Sequence, residues 1–459
     1  MSTYSKITYL IYTCLLSSFL AAQPATPPFD SVAQKIAVTA LTSNNAISML
    51  KELTNIGHRL SGSPQAAKAV EWAKSKMGQL GFDNVHLEPV LVPHWVRGKN
   101  EEGTVLASGK RRAISLNITA LGGSIGTSVQ GITSEVIEVK SFEELRLMED
   151  RVKGKIVFFN RPMDRAYFQT FEAYGRAVNQ RGRGAIEAAR YGGVAALVRS
   201  MTTRIDDSPH TGAMGYVDSI PKVPAAAIST RDADRLSELL KKEKNLKIRM
   251  KLSAQTLPDV ESANVIGELT GTEKPDEVIV VGGHLDSWDK GQGAHDDGAG
   301  CTQSIEALRL LKELGLKPKR TIRAVMFMNE ENGLRGGITY AAKERPGERH
   351  LAAIESDAGG FTPRGFGFGD SATFKKFAAY APAFRFFGAD RFIVGGGGAD
   401  ISELVRKGAA GIGLSVDSHR YFDYHHSDND TFDKVNEREL ALGAAAMAIL
   451  AYIIAQEGL

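Results

Sequence analysis

Hydrophobic residues recur at helical spacing in the first part of the chain. A helical stretch is predicted from about Ser31 to Ile56, and a second helix is predicted over residues 65–80, after the loop HRLSGSP at residues 58–64. The apolar residues of the second helix recur every three or four positions and therefore lie on one face of the helix: Ala66, Val70, Ala73, Met77 and Leu80.

The middle third has a different pattern, from about Gly123 to Lys251. Short runs such as SEVIEV, GKIVFFN, VAALVRS and VPAAAIS are predicted to be strands, with one clear helix over about residues 184–191. Residues 202–219 are polar and contain glycine, so they are predicted to form a surface loop. We expect this third to be a separate, non-catalytic module.

From residue 253 onward, apolar strands alternate with helices. Strands are predicted at EVIVVGG, RTIRAVMFMN, LAAIESD and AAGIGLSV, and helices at residues 297–314, 333–343, 399–407 and 435–454. This alternation predicts an α/β fold with a mixed, mostly parallel sheet flanked by helices. In such sheets the functional residues gather at the carboxyl ends of the strands.

The composition narrows the class of protein. With 459 residues, 43% of them hydrophobic and 24% charged, the chain is globular rather than disordered or fibrous. The formal net charge of +3 gives no reason to expect a nucleic-acid partner. Two cysteines cannot form a disulfide framework.

Residues 1–22 are predicted to be an export signal. Lys6 precedes an apolar run over residues 7–20, and small residues follow, which predicts cleavage near Ala22–Gln23. The alternative is a membrane anchor, but the run is shorter than a span requires and contains polar residues. We therefore expect a periplasmic or extracellular protein that has no membrane partner after cleavage and one remaining thiol, Cys301.

Side chains with metal-binding chemistry follow the predicted strands. Zinc binds imidazole and carboxylate ligands, and a pair of zinc ions needs a bridging carboxylate. Asp286 is placed to fix the tautomer of His284, and the adjacent Glu330 and Glu331 offer one ligand and one base. The candidates are His284, Asp286, Asp296, Asp297, Glu330, Glu331, Asp357, His425, His426, Asp428 and Asp430.

Four motifs resemble one known family. GGHLDSWDKGQGAHDDGAG, NEENGLRGG, ESDAGG and YHHSDNDT are similar to the corresponding segments of the two-zinc peptidases of family M28, in particular its secreted carboxypeptidase Q group. The likeness runs from about residue 45 to the end and includes HRLSGS. It implies a phosphorylase/hydrolase-like zinc exopeptidase fold with an inserted β-rich protease-associated domain.

The resemblance also implies domain boundaries. Residues 1–22 would be the signal peptide, 23–122 the N-terminal part of the peptidase domain, 123–252 the inserted protease-associated-like domain, and 253–459 the C-terminal part that carries the metal site.

The resemblance implies a role for each site residue. The family histidine stands four residues before the aspartate of a DT pair, and Asp430–Thr431 therefore select His426 over His425. Two Zn²⁺ ions per chain are expected, with these assignments: His284 and Asp357 on one ion, Glu331 and His426 on the other, Asp296 bridging them, Glu330 as general base, and Asp286 orienting His284.

The expected activity is hydrolysis of small unblocked peptides, especially dipeptides, by metal-activated water. The resemblance also implies a possible homodimer. Aminopeptidase action on longer peptides is the first alternative. A non-catalytic binding module and a glutaminyl cyclase are further alternatives, which a complete two-metal ligand set disfavours.

Other residues carry more modest expectations. Asp297 is predicted to cap the following helix rather than to bind metal, and Cys301 is predicted to be a buried apolar residue. His295 either contacts substrate or covers its loop. Tyr421, Tyr424 and Ser415 are weaker candidates for substrate contacts.

Two segments carry hypotheses of their own. The glycine runs GFGFGD and GGGGAD are predicted to be tight loops, since neither has the strand context of a dinucleotide site. GGGGAD is a candidate for shaping the substrate pocket. The loop at residues 202–219 is hypothesised to reach the active site through its single histidine, His210.

Overall fold

The computed structural model describes residues 29–459, so the predicted signal at residues 1–22 lies outside the described residues. The helical stretch expected over residues 31–56 is two helices, because the polar segment Thr42–Asn44 interrupts it. Within the described residues the α-helices are α1 (Asp30–Leu41), α2 (Asn45–Asn55), α3 (Pro64–Gln79), α4 (Phe142–Met148), α5 (Thr170–Ala177), α6 (Asn179–Arg190), α7 (Thr230–Lys242), α8 (Ala299–Glu313), α9 (Arg335–Ala342), α10 (Ser371–Phe377), α11 (Ser402–Arg406) and α12 (Glu437–Glu457).

The strands form two separate sheets. In chain order they are β1 (Asp83–Val96), β2 (Glu101–Val105), β3 (Ile114–Leu116), β4 (Ile118–Ala120), β5 (Ile132–Val139), β6 (Ile156–Phe159), β7 (Ala195–Arg199), β8 (Ala225–Ile228), β9 (Lys247–Leu252), β10 (Gln255–Leu269), β11 (Lys274–His284), β12 (Arg320–Phe327), β13 (Arg349–Glu355), β14 (Pro363–Phe368), β15 (Arg391–Val394) and β16 (Ala410–Val416).

The first sheet is mixed, and the expectation that it is mostly parallel holds only for its centre. Its order is β1-β10-β12-β11-β13-β16-β14-β15. The four neighbouring strands β12, β11, β13 and β16 are parallel to one another. Strand β1 pairs antiparallel with β10, β10 with β12, and β14 with β16. Parallel pairing was predicted from strand–helix alternation, but β1 and β10 pair with each other directly, without a helical crossover between them in this sheet. The parallel centre is the part that positions the candidate ligands.

Helix α12 lies in the core against this sheet and against α1 and α8. It is long and apolar enough to cross a membrane by composition alone, yet 83% of its apolar window is buried inside the protein. Its apolar surface is therefore accounted for by packing within the chain.

The second sheet is inserted between β1 and β10, so β1 carries the chain out of the first sheet and β10 returns it. Its order is β3-β2-β9-β5-β6-β7-β8-β4. It begins with β2 at Glu101, earlier than the expected boundary at residue 123, and ends with β9 at Leu252, next to the expected boundary at residue 252. Four helices, α4 to α7, accompany it where one was predicted.

The two sheets meet over a pair of tryptophans. The ring of Trp95, at the end of β1, packs edge-on against Trp288, with the centroids 6.3 Å apart. Trp288 comes from the segment after β11 but belongs to the hydrophobic core of the second sheet. Gly122 touches it so closely that a Cβ there would come within 1.7 Å of the indole. The two modules thus share one buried interface.

Candidate metal centre

The predicted ligands meet at the carboxyl edge of the parallel strands. Strand β11 ends at His284, the segment after β12 carries Glu330 and Glu331, and Asp357 lies just beyond β13. We call the segment between β11 and α8 the metal loop (residues 285–298), and it contains Asp296. The chain after β16 brings His425 and His426 to the same place.

His284 and His426 face each other across Asp296. His284 Nε2 lies 3.2 Å from Oδ1 of Asp296, and His426 Nε2 lies 3.3 Å from Oδ2 of the same carboxylate. His284 is also 3.4 Å from Asp357, and His426 is 3.1 Å from Glu331. With bonds of about 2.1 Å, the ligands of a tetrahedral zinc lie about 3.4 Å apart. Two ligand sets therefore share one bridging carboxylate.

His425 is the less suitable of the two adjacent histidines. Its ligand atoms form a group with Asp296 and His426, but its Nε2 is 3.8 Å from Asp296. The ring lies parallel to His426 at 3.4 Å and is packed against Tyr174, Tyr421 and Phe422. This geometry favours His426 as the ligand and His425 as its support.

The donor set fits metal cations on two grounds. Oδ2 of Asp296 is buried and has no hydrogen-bond partner within residues 29–459. Burial and the neighbouring Asp296 raise the pKa of Glu331 to about 7. Burial alone would lower the pKa of His284, but Asp296 and Asp357 outweigh it and raise that pKa well above its usual value. Because several carboxylates lie close together, the site has an excess of negative charge, which bound cations would neutralise.

Glu330 lies beside the ligands rather than among them. Its Oε2 is 4.0 Å from Nε2 of His284, and the side chain lines the open cavity. Burial raises its pKa well above the usual value, with His284 opposing and Asp357 adding to the shift. A carboxylate with a raised pKa at the edge of the site has the chemistry of a general base.

Asp286 orients His284 through its main chain rather than its side chain. The carbonyl of Asp286 lies 3.0 Å from Nδ1 of His284, whereas Oδ1 of Asp286 lies 3.9 Å away. The carboxylate instead accepts the N–H groups of Asn329, Glu330 and Glu331. Its function here is to hold the turn that presents the two glutamates.

The more modest expectations concern the metal loop and the first turn of α8. The N-cap residue of α8 is Gly298 rather than Asp297, but the Asp297 carboxylate accepts the N–H of Gly300 in the first turn and that of His284. Cys301 is fully buried. His295 is also buried, stacked 4.2 Å from Phe361, so it covers the loop and does not face the cavity.

Three residues hold the metal loop, and two of them, Arg59 and Ser61, were not among the candidates from the sequence. The buried guanidinium of Arg59 donates to the carbonyls of Leu285, Gln292 and Gly293. Ser61 donates to the carboxylate of Asp286. Asp430, named before only as a candidate and as part of the DT pair, accepts the N–H groups of His295 and Asp296. The motif HRLSGS is the one signal that pointed to Arg59 and Ser61.

The inserted module reaches the metal centre, as hypothesised. We call residues 202–219 the wall loop. It was expected to lie on the surface, but its centre is buried. Nδ1 of His210 lies 2.7 Å from the carbonyl of His425, and the N–H of Thr211 donates to the carbonyl of His426. Arg181, from α6, lies with its Nη1 3.5 Å from Nδ1 of His426. The sequence offered no signal for Arg181.

Two cavities adjoin at the metal centre and share Phe171 and Asp357. The first, about 470 Å³, is lined by the candidate ligands Asp296, Glu331, Asp357 and His426 and has an aromatic side formed by Tyr174, Tyr421 and Phe422. The second, about 540 Å³, is lined by Ser415 and by glycines 395–398 of the GGGGAD run, whose part in shaping the substrate pocket stays a prediction. Tyr424 packs against His295. The predicted ligands thus border two adjoining cavities that share Asp357.

Comparison with known proteins gives concordant results. A family profile described as Peptidase family M28 matches residues 264–453. Carboxypeptidase Q of Homo sapiens is 38% identical over 423 residues, covering 92% of this chain and 87% of its own. The crystal structure of a peptidase M28 precursor from Shewanella amazonensis superimposes with a TM-score of 0.89 at 36% identity, covering 94% of this chain and 97% of the other.

A more distant structure shares the fold. A zinc aminopeptidase from Bacillus subtilis, BSAP, has a TM-score of 0.66 at 20% identity and covers 90% of this chain and 96% of its own.

Proposed function

The chain belongs to peptidase family M28 and is a metallo-exopeptidase, and on that premise we propose that it hydrolyses small unblocked peptides, above all dipeptides, with two zinc ions. The observation that carries the proposal is the pair of histidines that face each other across Asp296, each with a second carboxylate at ligand distance. The similarity to carboxypeptidase Q supports the carboxypeptidase-like substrate class.

The predicted ligands form two sets, one for each ion. His284 and Asp357 would hold one, Glu331 and His426 the other, and Asp296 would contribute one oxygen to each. Zinc is supported by the nitrogen and oxygen donors and by the zinc aminopeptidase that shares the fold. When bound, such a pair polarises a carbonyl and lowers the pKa of water towards neutrality.

Glu330 would transfer the proton. It lines the cavity beside the predicted ligands, so its carboxylate can accept a proton from the attacking water at Oε2 and deliver it to the departing amine nitrogen. Asp286 fixes the turn that holds Glu330, since it accepts the Glu330 N–H at 3.0 Å. The aromatic side of the cavity would exclude water from around the substrate.

Replacing Glu330 by Gln tests this assignment. The variant should bind metal as the parent does and lose roughly 10²–10⁴-fold or more in kcat, since general acid–base catalysis contributes about that much. Metal content and kcat should be measured on the same preparation. Full activity of the variant would refute Glu330 as the base.

Aminopeptidase action on longer peptides is the second candidate. The second cavity, about 540 Å³ in volume, favours it because it offers room beyond the predicted ligands. A panel of each dipeptide with its N-acetyl form, its C-terminal amide and a longer peptide separates the two. Cleavage only of the doubly free dipeptides supports the dipeptidase. Cleavage that needs a free amine but tolerates extension supports the aminopeptidase.

Three further features remain predictions. Export is supported by the apolar run at residues 7–20, and N-terminal sequencing of the mature protein should begin near Gln23. The inserted sheet is proposed to be a protease-associated-like domain. A homodimer is expected from the family resemblance, and light scattering of the purified protein will measure its mass.

A further inference from the structure

The inserted module places the side chain of an arginine, Arg181, beside the predicted metal ligands. Arg181 lies on α6 and lines the same cavity as Asp296, Glu331 and His426. Only 9% of the residue is exposed. Its guanidinium is therefore largely desolvated and lies on the substrate side of the predicted site.

Within residues 29–459, Arg181 forms no ion pair, unlike the buried Arg97 and Arg323, and no carbonyl accepts from its side chain, unlike the buried Arg59. Arg97 binds Asp289 at 2.5 Å, and Arg323 binds Glu268 at 2.6 Å. Its Nη1 lies 3.5 Å from Nδ1 of His426, and its Nε is buried without an acceptor within residues 29–459. A buried guanidinium whose N–H groups lack acceptors is costly, so this arrangement favours an anionic ligand that accepts from them.

The surroundings hold the guanidinium in place. It lies over the ring of Tyr174, with Cζ 5.5 Å from the centroid. On another side it contacts the backbone of Gly212, where a Cβ would come within 2.5 Å of Nη1. A planar fork of donors fixed in this way matches a carboxylate, which accepts two parallel hydrogen bonds.

We propose that Arg181 binds the C-terminal carboxylate of the substrate and makes the enzyme select dipeptides. The inference rests on the proposed peptidase function and specifies its substrate class. In a dipeptide the carboxylate is one residue, about 3.5 Å, beyond the scissile bond. A residue that recognises it must therefore lie at the metal centre itself, as Arg181 does through its contact with the predicted ligand His426.

The test compares phenylalanyl-alanine, its C-terminal amide and phenylalanyl-alanyl-alanine as substrates of the zinc-loaded full chain and of Arg181→Gln. KM for the free dipeptide should rise roughly 30-fold or more, because a buried charge pair is lost. KM for the amide should change by no more than about twofold, since the amide carries no charge to pair. The wild-type preference for the free dipeptide should therefore disappear.

Two variants serve as controls. Arg181→Lys keeps the charge but not the fork, so its KM for the dipeptide should be intermediate. Arg183, on the same helix, is 61% exposed and paired with Glu187, so Arg183→Gln should behave as the wild type. If Arg181→Gln reduces cleavage of the dipeptide and of the amide equally, or of neither, the proposal is overturned.

Binding separates this inference from the proposed function. Calorimetry of phenylalanyl-alanine with Glu330→Gln, and with the double variant that also carries Arg181→Gln, needs no turnover. The double variant should bind the dipeptide roughly 30-fold or more weakly and the amide with unchanged affinity. If the wild type cleaves none of the peptides, the proposed function fails, whereas equal binding by the two variants overturns the role of Arg181.

Discussion

At the scale of single residues, Asp296 is the centre of the site. Its two oxygens face different histidines, and two backbone N–H groups of its loop are held by Asp430. One carboxylate therefore links two ligand sets that come from distant parts of the chain.

Replacing Asp296 by Ala should remove both metal and activity. Loss of the bridge deprives both sites of a ligand, so metal affinity should fall by more than about 100-fold, beyond the range found for residues outside the ligand shell. Elemental analysis after gel filtration, with kcat measured in parallel, checks this. Asp428→Ala is the matched control, because Asp428 is 59% exposed in the same region and pairs with Lys290. A metal-loaded, active Asp296→Ala protein would contradict the bridge.

Replacing Asp286 by Asn should lower kcat about 10- to 100-fold while the protein stays folded. The amide keeps one acceptor oxygen and turns an N–H donor towards a group of backbone donors, at a cost of about 1–3 kcal/mol. Glu330 and Glu331 would then shift. Kinetics combined with urea unfolding measure both effects. Wild-type kcat in the variant would show that the turn does not depend on this carboxylate.

Sequence reasoning selected histidines and carboxylates that the structure brings together, and it missed residues whose partners are distant along the chain. Histidines and carboxylates after apolar strands made His284, Asp296, Glu331, Asp357 and His426 candidates, and the family resemblance selected them from the larger set. The contact of Arg181 with His426 joins residues 245 positions apart. Nothing in the local sequence of α6 distinguishes Arg181 from its exposed neighbour Arg183.

At the scale of elements, the wall loop determines where His426 lies. Thr211 donates to the carbonyl of His426, which has a positive φ of 61°. Gly212 follows with a φ of 132° and leaves room for both Arg181 and the His426 ring. The loop therefore needs glycine at this position for both its conformation and its close approach.

Replacing Gly212 by Ala should reduce kcat/KM for dipeptides at least about tenfold and leave the circular dichroism spectrum unchanged. The added Cβ would come within 2.7 Å of Nδ1 of His426, and a misplaced catalytic group of this kind can cost about 100-fold in rate. Gly215→Ala is the control, since a Cβ at Gly215 meets nothing within 4 Å. Equal activities of the two variants would refute the requirement.

Strand β1 is tied to the end of α9 and the segment after it by Glu88. The carboxylate binds Lys343 and Arg345. Burial opposes ionisation, but His86, Lys343 and Arg345 outweigh it and lower the pKa of Glu88 to about 2. A lowered folded-state pKa means that this stabilisation is complete above pH 4.5 and is lost as the pH falls towards 2.

Glu88→Gln should therefore be less stable than the wild type by about 2–3 kcal/mol at pH 7, and the difference should shrink between pH 4.5 and 2. Urea unfolding at several pH values measures it. Glu261→Gln, at an exposed position on the neighbouring strand β10, should show little change at any pH. A difference for Glu88→Gln that does not vary with pH would argue against the ion pairs as its cause.

One of the two glycine-rich runs was predicted wrongly. GFGFGD was expected to be a tight loop, yet its first four residues end strand β14. A Cβ at Gly365 would come within 2.0 Å of the carbonyl of Arg391, and one at Gly367 within 2.1 Å of that of Gly395. Glycine is required there by a close neighbour rather than by a turn, and a single sequence does not separate these causes.

At the scale of the whole molecule, the metal loop joins the two sheets. Arg97, just after β1, binds Asp289 of the metal loop, Glu101 of β2 and Thr211 of the wall loop. Burial would lower the pKa of Arg97, but Asp289 and Glu101 outweigh it and raise that pKa above its usual value. The charge therefore persists at this junction at every physiological pH.

Arg97→Gln should weaken the junction of the two modules by about 3–5 kcal/mol, the usual cost of removing one partner of a buried ion pair. Each sheet has its own hydrophobic core, so the single calorimetric transition expected for the wild type should separate into two. Lys290→Gln is a control, because Lys290 in the same loop pairs with the exposed Asp428. One unchanged transition in Arg97→Gln would contradict this coupling.

The buried contacts of the wall loop bear on how this protein can be recombined with its relatives. A chimera that exchanges residues 101–252 for the equivalent segment of another M28 peptidase would replace His210, Thr211 and Arg181 together, and with them the backbone partners of His425 and His426. The inserted sheet therefore cannot be exchanged between relatives without changing its contacts to the metal centre. Grafting it requires its partner residues 424–431 to be transferred with it, and a library built on that pairing should yield more active recombinants than one that breaks it.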